Sequence, residues 1–109
     1  MLPLEITPQD VHALRAAGDD FLLLDCREPE EHAVAAIAGA RLVPMGELPQ
    51  RVGELRDYRD RPVVVYCHLG GRSLRAAHWL RQQGFEQAQS MAGGIDEWAV
   101  EIEPGMPRY

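Results

Sequence analysis

Lysine is absent from this 109-residue chain; all eleven basic side chains are arginine. Seventeen acids outnumber them, and the formal net charge is −6. That balance disfavours nucleic-acid binding, which calls for a basic face. Long hydrophobic runs are missing as well. None approaches the roughly 20 residues that a membrane helix requires, so no membrane partner is expected. Met1-Leu2-Pro3-Leu4-Glu5 lacks the basic and apolar regions of a secretory leader, and the expected location is the cytoplasm. Cysteine is scarce: Cys26 and Cys67 are the whole supply. Two thiols make no disulfide framework, and in a reducing compartment a cysteine with a task is more often catalytic. His12, His32, His68 and His78 are scattered, and no pair of ligand doublets has zinc-site spacing. No structural metal is expected. With no internal repeat, low-complexity tract or linker, residues 1–109 read as one domain.

Hydrophobic residues make up 46% of the chain, which is ordinary for a globular protein. Thr7, Pro8 and Asp10 mark a helix start: a capping hydroxyl, a proline at the first helical position and an acid in the first turn. Ile6 and Val11 are placed as a hydrophobic staple, Leu14 extends the apolar face, and Gly18 stops the helix. Phe21 to Leu24 and Pro62 to Tyr66 are continuous apolar runs, the pattern of strands covered on both faces. They end at Asp25-Cys26-Arg27 and at Cys67. Arg41 to Pro44 and Ala88 to Met91 are further strand candidates. Leu48, Val52 and Leu55 recur at helical spacing. Ser73 to Gln83 reads as a helix with Ala76, Ala77 and Leu80 on one face, and Gly94 to Val100 as a last short one. Glu103 to Tyr109 reads as an extended surface tail. Alternating strands and helices place the chain in the α/β class with a mainly parallel sheet, whose ligands bind beyond the carboxyl ends of the strands.

Charge is uneven. Residues 61–85 hold Arg61, Arg72, Arg75 and Arg81 with no acid, a local charge of +4. An anion site is one explanation; a solvated helix face is the other. Inside this segment lies Cys67-His68-Leu69-Gly70-Gly71-Arg72-Ser73, between a buried strand and a helix. Gly70 and Gly71 permit backbone conformations closed to other residues. Successive N–H groups can then point at one spot, joined by the free amides and positive dipole end of the helix. A sulfur at that spot is favoured as thiolate, and Arg72 adds a positive charge. Anionic adducts of such a nucleophile would be stabilised by the same groups.

These residues resemble the rhodanese family, in particular single-domain thiosulfate sulfurtransferases. Tyr66-Cys67 through Arg72-Ser73 is similar to the family's active-site loop. Leu24-Asp25-Cys26-Arg27-Glu28, Ile37-Ala38-Gly39-Ala40, Val43-Pro44, Gly84-Phe85 and Met91 through Trp98 resemble its other boxes. The likeness implies a rhodanese-like α/β fold, a five-stranded mainly parallel sheet flanked by helices on both faces. It implies that Cys67 takes the outer sulfur of thiosulfate as a persulfide and passes it to cyanide, a thiol or a sulfur-accepting protein. His68, Leu69, Gly70, Gly71, Arg72 and Ser73 would hold the substrate sulfur, with Asp25 and Arg27 behind them. No metal or organic cofactor is implied. Two departures are local: Ala35-Ala36 replaces a Gly-His pair, and Cys26 stands where a small aliphatic residue is usual.

Simpler readings stand beside these. Cys67 could be a buried cysteine closing a strand, although the two glycines and the arginine fit no packing need. Cys26 reads as a packed apolar residue, with an oxidative bridge to Cys67 as the alternative. His68 reads as a loop residue shaping the entrance, His12, His32 and His78 as surface residues, and Trp79 and Trp98 as core or cover. Asp25 and Arg27 could instead be a surface ion pair worth under about 1 kcal/mol. Arg75 and Arg81 either steer anions or lie on a solvated face. Two other functions compete: a non-catalytic binding module, which usually lacks the cysteine, and an arsenate reductase or phosphatase, whose loop is one residue longer.

Overall fold

In the computed structural model, residues 2–109 are described; Met1, the first residue of the leader reading, lies outside them. Five parallel strands form one sheet in the order β1-β5-β4-β2-β3. They are β1 (Glu5–Ile6), β2 (Leu22–Asp25), β3 (Arg41–Leu42), β4 (Val63–Tyr66) and β5 (Ala88–Met91). The helices are α1 (Pro8–Ala16), α2 (Pro29–Val34), α3 (Leu48–Arg51), α4 (Gly71–Gln82) and α5 (Gly94–Glu101).

The apolar runs fix the centre. β2 and β4 lie side by side, Leu22 opposite Val63 and Leu24 opposite Val65. Every residue of both strands is buried, as expected where helices cover both faces. Alternation then divides the core. Leu22, Leu24, Val63 and Val65 meet Ala76, Ala77 and Leu80 of α4, with Leu48 and Leu55. Leu23, Val64 and Tyr66 meet Val11 of α1, with Ile95 and Trp98 of α5. The small alanines let α4 lie close to the sheet.

Caps and breakers act where the sequence places them. The Asp10 amide donates to Thr7 Oγ1 at 3.1 Å, and Gly18 follows α1 with φ +71°. Two elements have no counterpart in the sequence reading. β1 is two residues long, too short for any period, and is held by its pairing with Ser90 and Met91. α2 buries none of its residues, so it carries no apolar stripe. The helix expected from Ser73 begins at Gly71 instead, and residues 45–58 form one α-turn between two 3-10 segments. The tail lies on the surface as expected and is anchored there. Met106 packs against the α1–α5 core, and Arg108 pairs with Asp96 at 2.9 Å.

The chain leaves β2 toward β3 on one side and leaves β4 toward β5 on the other. Their carboxyl ends therefore diverge into a crevice between neighbouring strands, the place where such sheets bind ligands. Asp25 and Cys67 flank it. No helix among the described residues is long and apolar enough to cross a membrane.

Candidate active site

Cys67 follows the last residue of β4, and its Sγ lies inside the turn made by the next six residues. The amides of Gly70 and Ser73 donate to it at 3.1 and 3.3 Å. The Ser73 hydroxyl lies 3.3 Å away and also meets Ser90 Oγ at 2.8 Å. Gly70 makes the turn possible: its φ of +111° is closed to ordinary side chains. Gly71 needs no such freedom; it sits within α4 with open space around it. Of the two glycines expected to give the loop its backbone freedom, Gly70 is the one that uses it.

The outward side of the turn is held by α5. The Ile95 amide donates to the Cys67 carbonyl at 2.9 Å, and the Asp96 amide to the His68 carbonyl at 3.1 Å. The free amides of one helix therefore fix the loop's carbonyls and leave its N–H groups facing the sulfur. Gly94 is required for this approach. Its φ is +63°, and a Cβ there would overlap the carbonyls of Cys67 and His68.

Cys67 is 1% exposed and sits at the floor of an open hollow of about 280 Å³. His68, Leu69, Gly71, Arg72 and Arg75 complete its lining. Burial, the largest single influence, opposes the thiolate. The Ser73 hydroxyl and the amides of Ser73, Gly70 and Arg72 outweigh it together and hold the Cys67 thiol below its ordinary pKa. Cys26 behaves oppositely. Burial, then the neighbouring Cys67 and Asp25, push it up to about 12. It packs in the apolar core and donates to the Tyr66 carbonyl at 3.4 Å. Both cysteines are free.

Arg72, expected to add a positive charge at the loop, carries that charge in an ion pair. It grips Glu31 of α2 with two bonds of 2.7 and 2.8 Å. Arg61 pairs with Asp20, and Arg81 is spent on the carbonyls of Ala88 and Pro3. Of the four arginines in the basic segment, only the side chain of Arg75 has no ion-pair or hydrogen-bond partner among the described residues.

Asp25 and Arg27 form a buried pair, both side chains fully enclosed; the surface-pair alternative is overturned. The Arg27 fork bonds both Asp25 oxygens at 2.9 and 2.8 Å. Burial raises the Asp25 carboxyl pKa, but bonds from Arg27 and His32 leave it below the ordinary value. Tyr66 and His32 reach the same carboxylate at 3.2 and 2.8 Å, so His32 is no free surface residue. Arg27 also donates to Tyr109 Oη at 2.8 Å, and that hydroxyl donates to Glu31 at 2.8 Å. A continuous polar chain thus runs from Asp25 through Arg27, Tyr109 and Glu31 to Arg72. The Tyr109 ring stacks on His68 with centroids 4.0 Å apart, and His68 Nε2 is buried with no partner among the described residues.

A thiol fixed by main-chain amides at the end of a central parallel strand can now be set beside known proteins. Residues 7–101 match the Rhodanese-like domain. A sulfurtransferase of Allochromatium vinosum is 39% identical over 95 residues, which cover 87% of each chain. The chain belongs to the rhodanese-like family. The human single-domain sulfurtransferase TSTD1 superposes with a TM-score of 0.78 at 28% identity, covering 92% of this chain and 98% of that one. The probable adenylyltransferase/sulfurtransferase MoeZ of Mycobacterium tuberculosis is 34% identical over 95% of this chain but 26% of its own length. The chain thus spans between 23% and 31% of the longer curated relatives it matches.

In this rhodanese-like chain, three neighbours of the loop, Glu31, Ser90 and Tyr109, are not evident from the sequence. Glu31 had a signal, an acid at the third position of a helix opening on proline, where it also accepts from the Glu28 amide at 3.1 Å. Ser90 and Tyr109 had none, because each reaches its partner from a distant part of the chain.

Proposed function

We propose that this chain is a sulfurtransferase that carries sulfane sulfur on Cys67. The Cys67 thiolate attacks the outer sulfur of thiosulfate; the sulfur–sulfur bond breaks and sulfite leaves with the bonding pair. The persulfide then gives its outer sulfur to cyanide, a thiol or a protein acceptor, and the Cys67 thiolate returns. No net oxidation occurs at the protein. The observation that carries this reading is the pair of amides, from Gly70 and Ser73, converging on Sγ. Donors fixed in that way favour the thiolate and equally the terminal sulfur of a persulfide. His68, Leu69, Gly71 and Arg72 line the space the donor would fill. The polar chain from Asp25 to Arg72 holds the loop's far wall.

The family membership and the likeness to proteins named as sulfurtransferases support sulfur transfer. Residues 1–109 are read as one working domain, placed in the reducing cytoplasm, where a free thiol persists. Treatment with thiosulfate should add one sulfur to the intact protein, and Cys67→Ser should take up none. Wild-type protein that stays unmodified would overturn the reading. Turnover of an aryl phosphate or of arsenate in its place would move the chain to the reductase and phosphatase class.

A further inference from the structure

Beside the hollow over Cys67 lies a second, apolar groove of about 300 Å³ between α3 and α4. Met45, Leu48, Pro49, Ala76 and Trp79 form its walls, and Arg75 stands at its mouth. Arg75 also lines the Cys67 hollow, so the two spaces share one residue. It is exposed, and its side chain has no ion-pair or hydrogen-bond partner among the described residues. The order along this face is therefore sulfur, cation, apolar groove. From Gly71, beside the sulfur, to Trp79 the helix rises about 12 Å at 1.5 Å per residue.

We propose that the groove and Arg75 form a subsite for the sulfur acceptor. The acceptor it fits is a small organic thiol with a carboxylate beside the sulfur and an apolar arm beyond it. The thiol enters the hollow, the carboxylate meets Arg75, and the arm lies between Met45, Leu48 and Trp79. A volume of about 300 Å³ is at the lower end of small-molecule sites. Charge complementarity sets the headgroup, since the free guanidinium is the polar group at the mouth and a carboxylate is its geometric match.

The step balances without an outside oxidant or reductant. The acceptor thiolate attacks the outer sulfur of the Cys67 persulfide, a new sulfur–sulfur bond forms on the acceptor, and the old bond breaks with Cys67 as thiolate leaving group. The products are an acceptor persulfide and free Cys67.

The subsite rests on the persulfide reading, and the test separates the two. Protein is first loaded with thiosulfate, with loading followed by intact mass. Persulfide loss is then timed with N-acetylcysteine, N-hexanoylcysteine and N-hexanoylcysteamine, which lacks the carboxylate. N-hexanoylcysteine should be used at least tenfold more efficiently than either of the others. Arg75→Gln should abolish the advantage of the carboxylate. Trp79→Leu should abolish the advantage of the long arm. Each result is read as a ratio of two thiols within one protein, so partial unfolding of a variant cancels. Failure to load would sink the sulfur-transfer reading itself. Normal loading followed by equal use of all three thiols would sink the subsite alone, as would ratios that survive in both variants.

Discussion

Opposing influences meet at Cys67. Its burial favours the neutral thiol, while one hydroxyl and three amides favour the thiolate, and the latter prevail. Ser73 supplies two of those four donors, and only its hydroxyl can be removed by mutation. Ser73→Ala should therefore raise the pH midpoint of Cys67 alkylation by iodoacetamide and slow the reaction at neutral pH. Cys26 does not confuse the reading, since it is enclosed and its pKa stands near 12. An unmoved midpoint would mean that the amides alone set the thiol. Cys67, Gly70, Arg72 and Ser73 were legible in the sequence because strand end, turn and helix start are contiguous. The ion pair that holds Arg72 is not legible in the same way. Glu31, its partner, lies 41 positions away on another helix.

At the scale of elements, the loop hangs from α5 as much as it follows β4. The Gly93-Gly94-Ile95 segment was legible as a recurrent pattern, but its physical task appears only when the two chain segments are adjacent. Gly94 is where the carbonyls of Cys67 and His68 pass. Gly94→Ala must push the loop and α5 apart, leave amides unpaired and hold alanine at positive φ. Strain of that kind costs about 1–3 kcal/mol and each unmet buried amide about as much again. Urea unfolding should show Gly94→Ala destabilised by more than about 2 kcal/mol. Gly71→Ala, in open space, should stay within about 0.5 kcal/mol of wild type. Gly70→Val tests the turn itself, because Gly70 has a φ of +111° and a backbone neighbour 3.3 Å from any Cβ. It should lose more persulfide formation than stability; equal losses would refute a special role for that turn. β2, β4 and β5 were readable from their own residues. β1 and α2 were not, since one is too short for a period and the other buries nothing.

Across the whole molecule, the polar chain from Asp25 to Arg72 ties β2, α2, the loop and the C-terminal segment together. Its links come from residues as far apart as Glu31 and Tyr109, so no local pattern announces it. Glu31 is its acid-sensitive member. Hydrogen bonding from Arg72 lowers its pKa from 4.5 to about 2. A carboxyl with a depressed folded-state pKa contributes stability above its unfolded value, and that contribution fades as pH falls through the folded one. The stabilising effect of the Glu31–Arg72 pair should therefore be complete above about pH 4.5 and be lost between there and about pH 2. Glu31→Gln removes the titration and leaves the shape almost unchanged. At neutral pH the variant should be the less stable protein in urea, and the two stability curves should converge as the pH approaches 2. Asp25 titrates in both proteins, so the difference between the curves reports Glu31. Curves that ran parallel through this window would show that Arg72 is held by the packing of α4 alone, and that the chain of polar contacts does not reach the sulfur loop.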